Sequence, residues 1–580
     1  MRTSAVVSTV GSLLHTSLTP LLPITVLPAV VQFNPKTKTV TIAGEDFPYG
    51  DHAELRIIAT GKAAPAQVAA LLPQLLPQLL PQLTPTKAPT KAPTKAPTKA
   101  PTKTKTVAMA MEMETEKEME MAMTLKTTVL CVGKATTTTP SEVASLSSHP
   151  CVLPLLLSSH PVPSPLSVTA ASSVFAFIRS APPRTLFLYL LSGGSSALCC
   201  LPAPPLTVGH LQHATERLMG RGVDIKRLNE LRQAIDEFKG GGVAREVLQK
   251  QKRDGKGEGK GKGKGEGACH NHHTLRTLAV CDVVGGEEEG GVGGIGSGPT
   301  VLGGEEETQT QTQTLAVKME KARAIWEEFG DEEGEEGKGI KAFLDSNDSS
   351  SSNNINNNNN NDSSSNNSSS NNSNNNNINN INNNNHIVGR QTNNNPSNYE
   401  YGPRYKPPTI ISSNGSALTS LFSACLSAGF KPVILKSSLT GEASSVGISL
   451  TKAAIERGPG AYIAGGETTV TIPEGRIPSE KGGRNMHMAL SVGVFLGRKG
   501  IKNVEFGAIG TDGDDGKGGA AGAWTRGVGS VSEWTRARRD LRSFNSFGFF
   551  DTADVTKTRG LIRTGPTGTN VADVILIIVN

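Results

Sequence analysis

The sequence predicts an α/β protein in which parallel sheets are covered by helices on both faces and interrupted by long low-complexity inserts. Three observations lead there. Apolar, strand-like runs alternate with helical patterns along the chain, which argues for parallel sheets with crossover helices. Several of those strands run directly into glycine-rich or acidic loops, and in open parallel sheets ligands bind at the carboxyl ends of strands. Finally, four tracts are so biased in composition that they cannot bury enough apolar area to offset backbone entropy.

In chain order, residues 3–35 contain no Asp, Glu, Lys or Arg, and the first acid is Glu45. Pro20, Pro23 and Pro28 oppose one long helix. Segment 1–19 therefore reads as flexible, a first helix with a loose start, or, alternatively, as an organelle-targeting leader, although a single Arg2 matches an Arg-rich transit peptide poorly. No stretch has the continuity expected of a membrane span. Strands are expected at Leu55–Thr60, Thr185–Leu191, Thr277–Val284, Pro432–Leu435, Ala461–Ala464, Val504–Ile509 and Val574–Val579. Helices are expected over 207–220, 228–238, 416–428, 443–456 and 485–498.

The inserts separate these elements. LLPQ repeats three times from Leu71 and APTK four times from Ala88; a proline every fourth residue predicts extended, solvated coil. A Met/Glu alternation follows over 107–123, a Gly/Lys run occupies 250–267, and 346–398 is almost wholly Asn and Ser.

Charge excludes one class of function. The chain of 580 residues carries 58 basic and 52 acidic side chains, a net +6. Six lysines (Lys87, Lys91, Lys95, Lys99, Lys103 and Lys105) lie in the acid-free repeat region 84–105, so that stretch alone accounts for the excess. No foldable basic face remains for nucleic acid. Seven cysteines form no regular framework. Several sit in apolar runs, which favours buried thiols in a reducing compartment. The expectations are a cytoplasmic protein, with organellar targeting as the alternative, that binds neither nucleic acid nor membrane.

Candidate chemistry clusters in the loops. The run LFLYLL enters Ser192, Gly193, Gly194, Ser195 and Ser196, where glycines let backbone N–H groups approach an anion; an ordinary tight turn is the alternative. Asp282 ends an apolar run and is followed by Ser297-Gly298-Pro299-Thr300. A carboxylate there can hold a metal, accept a proton or simply cap a turn. Thr511-Asp512-Gly513-Asp514-Asp515-Gly516 crowds three carboxylates, and Mg²⁺ is a natural neutralising partner. Lys62, Arg232, Lys239 and Arg484 supply cations. Together these are the parts of phosphoryl transfer: cationic clamps, a backbone cradle and Mg²⁺ ligands. The G-x-G-x-x-G match at 291–296 has no clear helix after it and reads as chance composition. Cys269-His270-Asn271-His272-His273 lacks a second paired half for zinc.

The order GKAA, SSHPVP, LLSGGSSALCCLPAP, NELR-x6-KGGGVA, DVVGG…SGPT, GGETTVT, GGRN, GTDGDDG…AAGA and TGPTGTN resembles the glycerate 2-kinase family with its C-terminal MOFRL domain. The resemblance implies two α/β/α domains with a cleft between them. It places an N-terminal kinase domain at 20–345, with inserts at about 71–126 and 246–272. An Asn/Ser-rich insert at 346–400, a connecting α/β segment at 401–460 and the MOFRL domain at 461–580 follow. The implied activity is ATP- and Mg²⁺-dependent phosphorylation of D-glycerate to 2-phosphoglycerate by a monomer or homodimer. Carried over by motif, Lys62, Asp282 and Arg484 are catalytic: the two cations hold the carboxylate or phosphoryl group, and Asp282 is general base or metal support. Ser192, Gly193, Gly194, Ser195, Asn229, Arg232, Lys239 and Glu467 bind substrate or phosphate, and Asp512 and Asp515 bind metal. The chain departs from the family's pattern at Met486-His487, Lys517-Gly518-Gly519 and Asn545, and carries a second GKA at Gly133-Lys134-Ala135 without an evident strand and helix around it. Two other readings remain: a catalytically impaired shell whose Asn-rich arms serve assembly, and a hydroxypyruvate reductase, against which the missing dinucleotide fingerprint weighs.

Overall fold

The computed structural model describes residues 8–83, 125–136, 138–254, 272–283, 293–302, 311–332, 334–347, 404–473, 481–516, 518–552 and 558–580. The expectations for the APTK repeat, the Met/Glu alternation, nearly all of the Gly/Lys and Asn/Ser tracts, Cys269 and Lys517 lie outside these residues.

Two helices, α1 (Thr9–Leu18) and α2 (Pro23–Val30), lead into an antiparallel ribbon of β1 (Val31–Asn34), β2 (Thr39–Ile42) and β3 (Glu45–Pro48). The first large sheet then builds by alternation. It runs β4 (Glu54–Thr60), α3 (Ala64–Leu83), β5 (Lys126–Lys134), α4 (Pro140–Ser147), β6 (Leu156–Ser158), α5 (Pro165–Arg179) and β7 (Thr185–Leu191). A helical group follows, α6 (Ser195–Leu198), α7 (Val208–Gly220), α8 (Ile225–Ile235) and α9 (Gly242–Asp254). Next come β8 (Thr274–Val280), α10 (Gln311–Phe329), α11 (Gly334–Ser346) and β9 (Thr409–Ser412).

All neighbours in this sheet are parallel, in the order β6-β5-β4-β7-β8-β9. The chain lays down β4 in the middle, steps outward to β5 and β6, and then returns to the other side of β4 as β7. That reversal creates a crevice beyond the carboxyl ends of β4 and β7, where such sheets bind ligands. Strand β4 is buried along its whole length. Leu55, Ile57 and Ala59 enter the core under α3, whereas Ile58 enters the core under α5, so the strand reads as a continuous apolar run.

The second sheet follows α12 (Asn414–Ser427). Its elements are β10 (Pro432–Leu439), α13 (Ala443–Arg457), β11 (Gly460–Gly466), α14 (Arg484–Lys499), β12 (Val504–Gly510), β13 (Gly522–Thr525), α15 (Val531–Arg542), α16 (Ser546–Phe550), β14 (Arg559–Ile562) and β15 (Asp573–Val579). The order is β10-β11-β15-β12-β13-β14, and only β10 and β11 pair in parallel. The expectation of parallel sheets throughout is corrected here. The last strand inserts antiparallel between β11 and β12, and an apolar run buried on both faces looks the same in either direction.

Three boundary expectations change as well. Segment 1–19 contains the expected first helix, α1, but it is docked and not loose: Val10 and Leu14 pack on Gly507 of the second sheet. Glu505 accepts hydrogen bonds from the Ser8 hydroxyl and from Val10 N at 3.1 Å. Thr9–Val30 is long and apolar enough to cross a membrane by length and composition, yet α1 and α2 are parted by a turn and Leu14, Leu18 and Leu27 are buried in the fold. The LLPQ repeat continues α3 to Leu83 instead of forming coil. Leu71, Leu72 and Leu75 are buried while Pro73 is exposed. Prolines spaced by four share one helix face, so the carbonyls they leave unpaired lie together on the Pro73 side, where water reaches. Likewise α9 runs to Asp254, past the expected start of an insert at 246. The segment 401–460 is divided: β9 completes the first sheet, and β10 and α13 belong to the second.

Candidate active site

The crevice beyond β4 and β7 is lined by two turns that hold each other. Lys62 N donates to the Gly193 carbonyl at 2.9 Å, Ala63 N donates to Ser192 Oγ at 3.1 Å, and Ser192 N donates to the Thr60 carbonyl at 3.1 Å. Beneath them Thr60 Oγ1 sits 2.7 Å from Ser195 Oγ and 2.9 Å from the Tyr189 hydroxyl. Ser192 and Ser195 are therefore buried braces of the loop, and the two glycines between them let Asp282, Lys62 and His160 approach it closely. Gly194 takes φ +82° and starts α6.

Asp282, two residues past β8, presses its carboxylate onto this loop: a Cβ added to Gly193 would stand 1.7 Å from Oδ2. Burial raises the Asp282 carboxyl to about 6, with Lys62 opposing the rise and Glu467 and Asp512 adding to it. A Gly193→Ala variant must displace Asp282. It should keep its melting temperature within a few degrees of wild type while losing most turnover, measured by thermal unfolding and steady-state kinetics.

The helical group contributes unequally. Asn229 on α8 donates to the Gly294 carbonyl at 3.3 Å and accepts from Ser297 Oγ at 2.8 Å; it positions the loop that precedes Pro299. Gly240 N and Gly241 N donate to the carbonyls of Ser297 and Gly298 at 2.9 and 2.7 Å, so the KGGG segment zips to the SGPT segment. The substrate role expected of Lys239 is corrected: its side chain is 1 % exposed and ion-paired with Asp236, which is 0 % exposed. Arg232, by contrast, is half-buried without an ion pair among the described residues. Burial lowers its guanidinium to about 10.

The second sheet faces the crevice with its own set. Arg484 starts α14 and is held at three points: Nε and Nη2 donate to Asp573 at 2.6 and 3.0 Å, and Nη1 lies 2.8 Å from Glu467. Burial works against the Arg484 charge, but the Asp573 carboxylate more than compensates and keeps the guanidinium protonated. Asp515 does not have the open coordination expected of a metal ligand. It is buried, and its oxygens cap α14 by accepting from Asn485 N at 3.0 Å and Met486 N at 2.7 Å. Asp512 and Asp514 remain available. Asp514 N donates to Asp512 Oδ1 at 3.2 Å. Burial, then Asp512, raise the Asp514 carboxyl, while Lys134 and Lys62 oppose that shift. Acids of one sheet thus face cations of the other.

Sequence reasoning missed Asp573 and passed over Asp514. Asp573 opens the last strand three residues after the TGPTGTN motif, and its pairing with both Gly466 and Gly510 was the unreadable part. Lys134 was set aside for want of a frame; it ends β5, in register with Ser158 and beside β4. The glycine run at 291–296, whose residues from 293 are described, opens only a single 3-10 turn, Ile295–Ser297, and not an α-helix. A Cβ on Gly296 would meet Ser195 Cβ at 2.9 Å, so the run packs under the SGG loop. Of the seven cysteines, the six described are buried and form no disulfide among the described residues.

Residues 10–252 match the family described as a domain of unknown function (DUF4147), and residues 460–573 match the MOFRL family. These are the two halves that meet at the crevice. Both halves are similar to the glycerate kinase family. Two curated members illustrate its range. A glycerate 2-kinase of Pyrococcus horikoshii is 25 % identical over 435 residues, covering 72 % of this chain and 76 % of that protein. A putative hydroxypyruvate reductase of Agrobacterium vitis is 27 % identical over 434 residues, covering 73 % and 77 %. The glycerate kinase fold is shared with the crystal structure of the Thermotoga maritima enzyme, at TM-score 0.57 and 20 % identity over 98 % of each chain.

Proposed function

We propose that this protein phosphorylates D-glycerate with ATP, giving 2-phosphoglycerate. The observation that carries this reading is the meeting of Lys62, the Gly193–Gly194 loop and Asp282 at the sheet's switch point, opposite Asp512 and Asp514. Lys62 neutralises the transferring phosphoryl group and the glycine N–H groups cradle it. Asp282 takes the proton of the acceptor hydroxyl as that oxygen attacks phosphorus. Arg484, set by Asp573, offers its Glu467 edge to an incoming anion that replaces Glu467. The carboxylates of Asp512 and Asp514 suit Mg²⁺, which takes one or two protein carboxylates together with substrate phosphates. Such an ion would supply positive charge that neutralises the nucleotide phosphates.

The test is ADP release by purified protein given Mg-ATP and D-glycerate, with the product's phosphate position read by phosphorus NMR. Turnover to 2-phosphoglycerate supports the reading; ATP binding without product points to the impaired shell. With NADH and hydroxypyruvate no turnover is expected, since no strand-framed dinucleotide loop occurs among the described residues.

A pH dependence follows from Asp282. A base must be unprotonated, and burial raises this one to about 6. Turnover should therefore fall as pH drops through about 6 and level off above it. Asp282→Asn should remove that limb together with roughly 10²–10⁴-fold of rate, checked by the pH profile of kcat/KM.

A further inference from the structure

The crevice holds two groups without a task in the scheme above, Lys134 and His160. Lys134 ends β5, one strand away from the Lys62 turn. His160 lies two residues beyond β6 with its ring against the SGG loop: a Cβ on Gly194 would stand 3.1 Å from His160 Cδ2 and 3.0 Å from Lys62 Cγ. Lysine and imidazole therefore flank the same glycine. Burial, then Lys62, Lys134 and Arg232, push the His160 ring down to about 3, so three cations surround an imidazole that stays neutral. All four side chains are half-buried, and none of the cations has an ion pair among the described residues. Asp512 and Asp514 reach Lys134 only at longer range, from the second sheet.

Cations that this fold pairs with a carboxylate look different. Lys239 is paired with Asp236 and Arg484 with Asp573. Converging, half-buried cations that no ion pair among the described residues neutralises repel one another, and an oxyanion relieves that repulsion through charge-assisted hydrogen bonds. A neutral imidazole adds a donor without adding a fourth charge.

We propose that Lys134, Arg232 and His160 form, beside Lys62, a subsite for an oxyanion, supplied by the acceptor's carboxylate or by the nucleotide phosphates. The subsite deepens the kinase reading and rests on it for which molecule carries the anion. Lys134 and His160 bind and orient; the proton and the phosphoryl group move elsewhere, at Asp282 and along the Lys62 turn.

The experiment titrates full-length wild type, Lys134→Met, His160→Leu and His160→Asn with inorganic phosphate by calorimetry. Steady-state kinetics with D-glycerate and Mg-ATP run alongside. Lys134→Met should weaken phosphate binding by about 10- to 100-fold, as expected for a lost hydrogen bond to a charged group. His160→Leu should weaken it less, and His160→Asn should restore much of that loss. A rise in KM for glycerate alone assigns the subsite to the carboxylate, and a rise for ATP alone assigns it to the nucleotide. Should Lys134→Met melt early, Lys134→Gln carries the same comparison. Failure of wild type to bind phosphate, or unchanged phosphate affinity and unchanged KM values in the variants, overturns the subsite even in an active kinase. Phosphate affinity lost with Lys134 in a protein that never phosphorylates glycerate would instead sink the kinase reading and leave the subsite standing.

Discussion

Lys62→Ala should reduce turnover by about 10²–10³-fold, the size of effect seen when one preorganised electrostatic group is removed from a phosphoryl or acyl transfer site, while the melting temperature stays near that of wild type. The two halves of that expectation have separate causes. The ammonium has no ion pair among the described residues, so its loss breaks no ion pair and only lets the Asp282 carboxyl rise further. The turn itself is held by backbone groups, Lys62 N to the Gly193 carbonyl and Ala63 N to Ser192 Oγ, which alanine retains. What disappears is the positive charge above Gly194 and beside Asp282. Steady-state kinetics and a thermal melt read both halves. Wild-type turnover would remove Lys62 from the mechanism, and early melting would mean that the stem packs the loop.

Lys239→Ala should fail differently, by losing about 3–5 kcal/mol of stability, as when one partner of a buried ion pair is removed. Asp236 accepts from Leu201 N at 3.0 Å and Phe238 N at 2.9 Å as well as from Lys239, so it stays in place and buried when the lysine goes. The carboxylate is then uncompensated. Adding Asp236→Asn to a Lys239→Met background should recover part of the loss, because the amide oxygen still accepts from those two N–H groups. Urea unfolding of the single and double variants measures this. A well-folded Lys239→Ala protein with weakened substrate affinity would return Lys239 to the binding surface and overturn its structural assignment.

The contrast between these two lysines shows how the chain is legible. Both stand in glycine-rich motifs and both are cations in a kinase-like series. Only the fold places Lys62 in a crevice without an ion pair and Lys239 against a carboxylate three residues away in a dry core. The same holds for the acids of GTDGDDG. Three adjacent carboxylates are equivalent on paper, yet Asp515 caps α14 whereas Asp512 and Asp514 face Lys62 and Lys134.

Local features that depend on near neighbours were readable without coordinates. The strands at 54–60, 185–191 and 504–510 and the helices at 208–220, 443–457 and 484–499 follow from apolar periodicity and flanking glycines. The loops at their ends, and hence Lys62, the SGG loop and Arg484 as candidate site residues, come with them. Features that depend on distant partners were not. The antiparallel insertion of β15, the Asp573 clamp on Arg484, the docking of α1 on the second sheet and the prolines tolerated in α3 are all decided by which surfaces meet. Periodicity reports which face of an element is buried, not what covers it. Only the assembled sheets bring residues 62, 134, 160 and 282 of one half against 467, 484, 512 and 514 of the other, because the attraction and desolvation that give these groups their roles act across space rather than along the chain.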